Sequence, residues 1–415
     1  MSASTLDPNR TITELKELRA LTGDADGAQR VAWSDTWVRA RGWLRAKLEE
    51  LPVVIETDEA GNLWATLPGA SEQALLIGGH IDSVPNGGWL DGCLNTLAGL
   101  EILRRLAATG TPAVTVRLVD WADEEGARFG HSLLGSSAFS GSLKPEDLYG
   151  LRDRSGTPMP EVLATHGIHP QHMLRAQSRQ ANAAAYIELH IEQGPVLESL
   201  GLPLGVVIGT FGVERHRITW RGQAAHAGST PMDRRKDALA GAAKLALSIR
   251  DIAREVGDGA VCTSGSIVCK PGIVTSVVET AEQLLDQRHI DGTKLGRMLA
   301  MAKEASLRFA TEEQIQVEWE RIWRIDPIPF QPELIELAEA AVVATCGTSH
   351  RLPSGPLHDA AEVARAGIPT VMLFVQSLRG ISHNKIEDTL EQHLAASIEA
   401  FDRLADATIS WIQRR

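Results

Sequence analysis

Histidines and carboxylates gather in this sequence at four points where an apolar run gives out. After "ALLIGG" come His80 and Asp82, and the glycine-rich "NGGWLDG" then supplies Asp91. The His-x-Asp spacing puts both side chains on one face of an extended segment, so Asp82 can orient the His80 imidazole and raise its basicity as a ligand. "AVTVRLVDW" runs into Asp123, Glu124 and Glu125. Adjacent acids repel, and burying them is costly unless something positive sits among them. Glu124 and Glu125 point in different directions, so one can meet a metal while the other holds a water. "YIELHIEQ" sets Glu188, His190 and Glu192 on one face of a strand, with Ile187, Leu189 and Ile191 on the other. Finally, "RGISHNKIEDT" places His383 after the strand-like "PTVMLFV". Singly, each has a plain structural reading: a polar loop, a solvated turn, an edge strand with a wet face and an incidental loop histidine. Jointly, His80, Asp91, Glu125, His190 and His383 offer three imidazoles and two carboxylates. That mix suits two divalent ions such as Zn²⁺ or Mn²⁺, with one carboxylate bridging. Two ions would neutralise the acids and bring the pKa of a shared water toward ~7, leaving Glu124 as a natural general base.

The elements that must hold these residues can be read from periodicity. Helices are predicted at 12–21 and 34–50, and a hairpin over "VVIETDEAGNLWATLPG". The strand "ALLIGGHIDSV", the amphipathic helix "TLAGLEILRRLAATG" closed by Gly110, and the strand "AVTVRLVDW" make an α/β layer with a mostly parallel sheet. Open sheets of this kind build their sites where strands run out. Around 205–220, "GVVIGTFGVERHRITWRG" alternates at length, as in an antiparallel strand pair. A helix at 235–256, the strand-like "GSIVCK" and "SVVETAEQLLDQRHID", a helix near 292–308 and "IQVEWERIW" complete a strand-helix-strand-strand-helix-strand order, an α+β unit. The α/β pattern then returns with a helix at 331–345, "PTVMLFV" and a helix at 390–413. The expected organisation is one α/β domain, 1–209 plus 328–415, interrupted by an inserted α+β domain at 210–327.

The bulk properties agree. A chain of 415 residues exceeds one ordinary core, and 43% hydrophobic with 23% charged residues is the composition of a water-soluble globular protein. A net charge of −12 argues against nucleic-acid binding, which needs a basic face. Cys93, Cys262, Cys269 and Cys346 are widely spaced with no CxxC pair, as in a reducing compartment. The opening "MSASTLDPNRTITELKEL" lacks the apolar core of a secretory signal, and no stretch approaches the ~18 apolar residues of a membrane span. A cytoplasmic enzyme is expected, with no membrane partner.

The ordered motifs "GAQRVAWS", "DEAGNLWATLPG", "GGHIDSVPNGGWLDG", "DEEGARF", "ELHIEQGPVLE", "GQAAHAGSTPMDRRKDA", "DQRHID", "SGPLHDA" and "GISHNKIED" cover nearly the whole chain. Through them the sequence resembles the metal-dependent amidohydrolases of the M20 peptidase clan, within the branch of N-carbamoyl-L-amino-acid hydrolases, allantoate amidohydrolases and β-ureidopropionases. The resemblance implies a metallopeptidase-like catalytic domain with an inserted ferredoxin-like lid that makes a homodimer. It implies two divalent ions, Zn²⁺ or Mn²⁺ with Co²⁺ or Ni²⁺ as alternatives. His80, Asp91 and His190 would hold one, and Asp91, Glu125 and His383 the other, with Asp91 bridging. Glu124 would activate the water and pass a proton to the leaving amine. It also implies that Gln193 contacts the substrate carbonyl or ureido end. His226 would stabilise the oxyanion in the partner subunit's site, and Arg288 would grip a substrate carboxylate. His358 would shape the substrate pocket or support it from behind, beside Asp359.

Two departures from that pattern stand out. Where the family carries Asn-Val-x-Pro-Gly, residues 275–279 read "TSVVE", so Thr275 replaces a substrate-contacting amide by a single hydroxyl. Asn95-Thr96 stand where Gly-Val is usual. The expected function is hydrolysis of a linear C–N amide or ureido bond in a small carboxylate-bearing substrate, foremost an N-carbamoyl-L-amino acid. The changed loop leaves an N-acyl or aryl-amide substrate as an alternative. A non-catalytic metal- or ligand-binding homologue should have lost its base or ligands, and this sequence retains Glu124 and all five.

Overall fold

A computed structural model describes residues 6–415. Helix α1 (Pro8–Thr22) begins where Asp7 accepts from the N–H groups of Asn9 and Arg10, with Pro8 in the first turn. It starts before the expected residue 12 because the cap, and not the first apolar residue, sets a helix start. Ser34 caps α2 (Asp35–Leu48), which buries Trp37, Ala40, Leu44 and Leu48 at helical spacing. Strands β1 (Val54–Thr57) and β2 (Leu63–Leu67) pair antiparallel as expected. Buried Asp58 holds their turn, accepting from the N–H groups of Ala60 and Asn62 and from Trp64 Nε1.

Next come β3 (Ala74–His80), α3 (Cys93–Thr109), β4 (Thr115–Trp121), β5 (Ala183–Ile191) and β6 (Leu204–Thr210). Then follow β7 (Gly212–Arg221), α4 (Ala238–Val256), β8 (Val261–Lys270), β9 (Thr280–His289), α5 (Gly292–Glu312) and β10 (Gln316–Ile325). The chain closes with α6 (Pro332–Cys346), α7 (Asp359–Arg365), β11 (Thr370–Val375) and α8 (Glu391–Gln413).

These elements form two compact units. One comprises the described residues up to Ile208 together with Phe330–Arg415, and the other Gly209–Pro329. In the first, the strand order is β6–β11–β5–β3–β4–β2–β1. The middle of this sheet, β11–β5–β3–β4, is parallel, and antiparallel pairs flank it. Its strands are buried on both faces, as parallel sheets are. Helices α3 and α8 pack on β3 and β5, and α1 contacts both helices. Because β3, β4, β5 and β11 run the same way, the residues beyond their C-terminal ends emerge along one edge of the sheet. The edge-strand reading of "YIELHIEQ" fails here. β5 lies between β11 and β3, and Glu188 and His190 are buried.

In the second unit the strand order is β8–β9–β7–β10, all antiparallel. Helix α4 starts at Ala238, with Asp237 as its cap, so Arg235 and Lys236 lie outside the helix expected from 235. It buries Ala238, Ala242, Leu245, Ile249 and Ile252 in one core with Trp220, Leu285 and Met298. The β-α-β-β-α-β order is the ferredoxin-like arrangement anticipated from the sequence.

One expectation is corrected. Residues 205–220 are not an antiparallel pair: β6 joins β11, whereas β7 joins β9 and β10. Phe211 alone separates them, too little chain for a hairpin turn, so the alternation runs on end to end into a different sheet. Among the described residues no helix is long and apolar enough to cross a membrane.

Candidate metal centre

Every cluster residue of the first unit hangs on the sheet edge. His80 is the last residue of β3, the acidic run lies just past β4, His190 sits near the end of β5, and His383 lies in the loop after β11. Asp91 precedes α3 in the loop that ends at Gly92. Gly92 has φ +65°, and a Cβ there would lie 2.4 Å from His80 Cε1. The residue is thus required both by its backbone and by the imidazole packed over it.

The structure brings two ligand-like groups together: His80, Asp91 and His190, and Asp91, Glu125 and His383. Asp91 belongs to both. Its Oδ1 lies 3.1 Å from His190 Nε2 and 3.6 Å from His80 Nε2. Its Oδ2 lies 3.4 Å from His383 Nε2, which is also 3.3 Å from Glu125 Oε2. Glu124 Oε2 is 3.7 Å from His80 Nε2.

The donor chemistry fits divalent cations. His80 Nδ1 faces the Asp82 carbonyl at 3.1 Å, and His190 Nδ1 faces the Ile191 carbonyl at 2.9 Å. A carbonyl only accepts, so each ring carries a proton on Nδ1 and, as the neutral imidazole, turns its Nε2 lone pair toward Asp91. Both Nε2 atoms, and Glu125 Oε1, are buried without a hydrogen-bond partner. Lone pairs aimed at a carboxylate in a buried site are stable only with a positive charge between them. The carboxyl groups carry the same strain. Burial, with Asp359 and Glu125 nearby, holds Glu124 well above the usual carboxylate range despite His80. Burial and the Asp91 charge push Glu125 up to about 7. For Asp91, burial is outweighed by the nearby imidazoles of His190, His383 and His80, and its carboxyl lies well below the usual range. Bound cations would relieve every one of these raised acids.

The supporting residues differ in detail from the sequence reading. Asp82 meets the His80 ring mainly through its carbonyl, with its carboxylate at 3.5 Å. That carboxylate instead accepts the backbone N–H groups of Glu124 and Glu125, at 3.3 and 3.2 Å, and so fixes the acidic turn. Asp123, for which no spacing suggests a role, takes a left-handed conformation at φ +57° and accepts from Trp33 Nε1 at 2.7 Å. Glu192 leaves the face shared by Glu188 and His190 and accepts the N–H groups of Val196 and Leu197, capping a short helix. The Gln193 amide donates to Asp91 Oδ2 at 2.9 Å and to Ser382 Oγ at 3.1 Å. His358, 2% exposed, lies with its ring 4.3 Å from that of His190, and with Glu188 and His190 it makes a third ligand-like group. Asn95, one of the departures, accepts the Leu189 N–H at 3.0 Å and ties α3 to β5.

The remaining site candidates belong to the second unit. Ala225–His226 pairs antiparallel with Ser276–Val277, and the Ala227 N–H donates to the Thr275 carbonyl at 2.9 Å. The altered "TSVVE" segment is therefore the neighbour of His226, a proximity no spacing in the sequence suggests. The Gly228 N–H donates to His226 Nδ1 at 3.1 Å, which leaves the exposed ring's proton on Nε2. Arg288 is paired with Asp286, 2.8 Å from Nε to Oδ1, on β9.

A site of two overlapping His/carboxylate groups, at the C-terminal edge of a parallel sheet with a spare buried glutamate beside it, has the donor set of a metal-dependent hydrolase. The chain belongs to peptidase family M20/M25/M40, whose sequence model matches residues 76–407. It is 34% identical to an N-carbamoyl-L-amino acid amidohydrolase of Geobacillus stearothermophilus, over 90% of this chain and 91% of that one. It is 30% identical to an allantoate amidohydrolase of Escherichia coli, over 90% and 91% respectively. A solved hydantoinase/carbamoylase family amidase of Burkholderia ambifaria superposes with a TM-score of 0.87 at 30% identity, covering 97% of each chain.

Proposed function

We propose that the chain is a metal-dependent amidohydrolase that cleaves a linear ureido or amide C–N bond in a small carboxylate-bearing substrate, foremost an N-carbamoyl-L-amino acid. The observation that carries this reading is the sharing of Asp91 between two buried histidine/carboxylate groups, with Glu124 beside them. The activities named for its relatives support a ureido substrate over an N-acyl or aryl amide.

When bound, divalent ions held by His80, Asp91, His190, Glu125 and His383 would supply Lewis-acid polarisation of the scissile carbonyl and acidify water. Zn²⁺, Mn²⁺, Co²⁺ and Ni²⁺ all accept this donor set. Glu124 takes the proton of the attacking water and delivers it to the leaving nitrogen. His226, with its proton on Nε2, is proposed to donate to the developing oxyanion, and Arg288, sharing its fork with Asp286, to receive the substrate carboxylate. Gln193, His358 and Thr275 are proposed to shape the pocket directly or through their neighbours. The full-length chain, supplied in turn with each of the four metals, is expected to release ammonia and free amino acid from N-carbamoyl-L-amino acids. Failure on every carbamoyl and ureido acid of the panel, with release of carboxylic acid from N-acyl amino acids instead, would transfer the assignment to the alternative substrate class.

We further infer a cytoplasmic homodimer formed through the Gly209–Pro329 unit, with His226 acting in the partner's site. Exposed Leu247 on α4 and Val261 and Val268 on the edge strand β8 support it. Sedimentation should give twice the chain mass, and Leu247→Glu with Val268→Glu should return it to the chain mass; a monomeric wild type would end the trans role of His226.

A further inference from the structure

Glu387 is a buried carboxylate with no part in the proposed reaction, although it lies in the same "GISHNKIED" segment as His383. Its Oε1 accepts the backbone N–H groups of Leu90 and Asp91, each at 3.1 Å. Its Oε2 accepts from Ser382 Oγ at 2.9 Å. One side chain thus grips the backbone of Asp91 on one loop and the residue next to His383 on another. Ser382 Oγ also lies 3.2 Å from Asp91 Oδ2 and accepts from Gln193 Nε2 at 3.1 Å. A hydroxyl has one proton, so it serves one carboxylate at a time. When it is given to Glu387, Asp91 Oδ2, which already accepts from Gln193 Nε2 at 2.9 Å, keeps its other lone pair for the His383 and Glu125 side of the site. The loop is built around this contact: a Cβ on Gly88 would lie 2.0 Å from Glu387 Oε1.

We infer that Glu387 is a positioning residue that locks the Asp91 and His383 loops into the geometry the second ion needs. The inference rests on the dinuclear reading of the site. Outer groups that orient metal ligands are worth about 10–100-fold in metal affinity. Glutamine at this position keeps an acceptor for the two backbone N–H groups but turns a donor, in place of an anion, toward Ser382. That removes the sink for the hydroxyl proton and sends it to Asp91 Oδ2.

The test is titration of the chelated full-length chain with Mn²⁺, followed by calorimetry and by electron paramagnetic resonance, which separates a spin-coupled pair from isolated ions. The wild type should bind two ions per chain and show the coupled signal. Glu387→Gln should bind the first nearly as the wild type does, bind the second about 10–100-fold more weakly, and lose the coupled signal at stoichiometric metal. Glu391→Gln, in an exposed pair with Lys16, is the control that should change neither. Ser382→Ala, which removes only the hydroxyl, should weaken the second ion in the same direction and decides the matter if Glu387→Gln does not fold. Two ions bound to Glu387→Gln, or failing that to Ser382→Ala, within twofold of wild-type affinity would overturn the inference while leaving the dinuclear reading intact. A wild type that binds no Mn²⁺ would remove both.

Discussion

Replacing Glu124 by glutamine is expected to lower kcat by about 10²–10⁴-fold while leaving the metal content of the purified chain unchanged. The substitution preserves size and hydrogen-bonding reach, so the turn held by Asp82 should survive, since it depends on the backbone of Glu124 and not on its carboxyl. On the proposed mechanism, what is lost is an acceptor for the proton of the attacking water and its delivery to the leaving nitrogen. Burial and three neighbouring acids make Glu124 a reluctant anion, and cations held by the adjoining groups would favour its charged form. The acidic limb of the kcat/KM profile of the wild type should report its protonation: activity falls as pH drops through that ionisation and Glu124 becomes neutral. The glutamine variant has no such group and should lose that limb while keeping a low residual rate. A variant with normal metal content and a rate within threefold of wild type would show that another group moves the proton.

Much of this site was legible from residue types alone, because a strand fixes where the residues just beyond its end must lie. Period-2 alternation in "YIELHIEQ" and an acid run after "AVTVRLVDW" placed His190, Glu124 and Glu125 at strand ends, and parallel connectivity then brought the ends together. The same periodicity misled where chain direction mattered. Alternation across Phe211 looks identical whether the strands fold back or continue, and only the sheets they join separate the two cases. Positioning contacts were illegible for another reason. Glu387 reaches Leu90 and Asp91 from 297 and 296 residues away, and Trp33 reaches Asp123 across two helices and four strands. Such pairs carry no period and no spacing. The one faint signal for Glu387 was an acid in the loop that bears His383. Asp82 shows the intermediate case: its place beside His80 was readable, but its carboxylate spends its lone pairs on the acidic turn.

Asp91→Asn should be the most damaging single change in the first unit. Asp91 is shared by both ligand-like groups, with Oδ1 toward His190 and His80 and Oδ2 toward His383. Asparagine keeps one acceptor oxygen and replaces the other by an amino group, which cannot hold a cation. One group therefore loses its shared ligand outright, and the other keeps a neutral oxygen where it had an anion. Removing the charge also leaves the Nε2 lone pairs of His80 and His190 with less to hold a cation against them. Metal content should fall from two ions to one or fewer per chain. Forfeiting several kcal/mol of transition-state charge stabilisation corresponds to a loss of at least ~10³-fold in kcat/KM. Asp82→Asn makes the informative contrast. Asp82 lies in the same pocket, but its carboxylate accepts backbone N–H groups, and an asparagine oxygen can still accept one of them. Its metal content should stay near two, with a smaller fall in rate as the turn bearing Glu124 and Glu125 loosens. Elemental analysis of both variants beside the wild type, together with ammonia release, separates the roles. Equal metal loss in the two would show that Asp91 acts on the fold of the loop and not as the shared ligand.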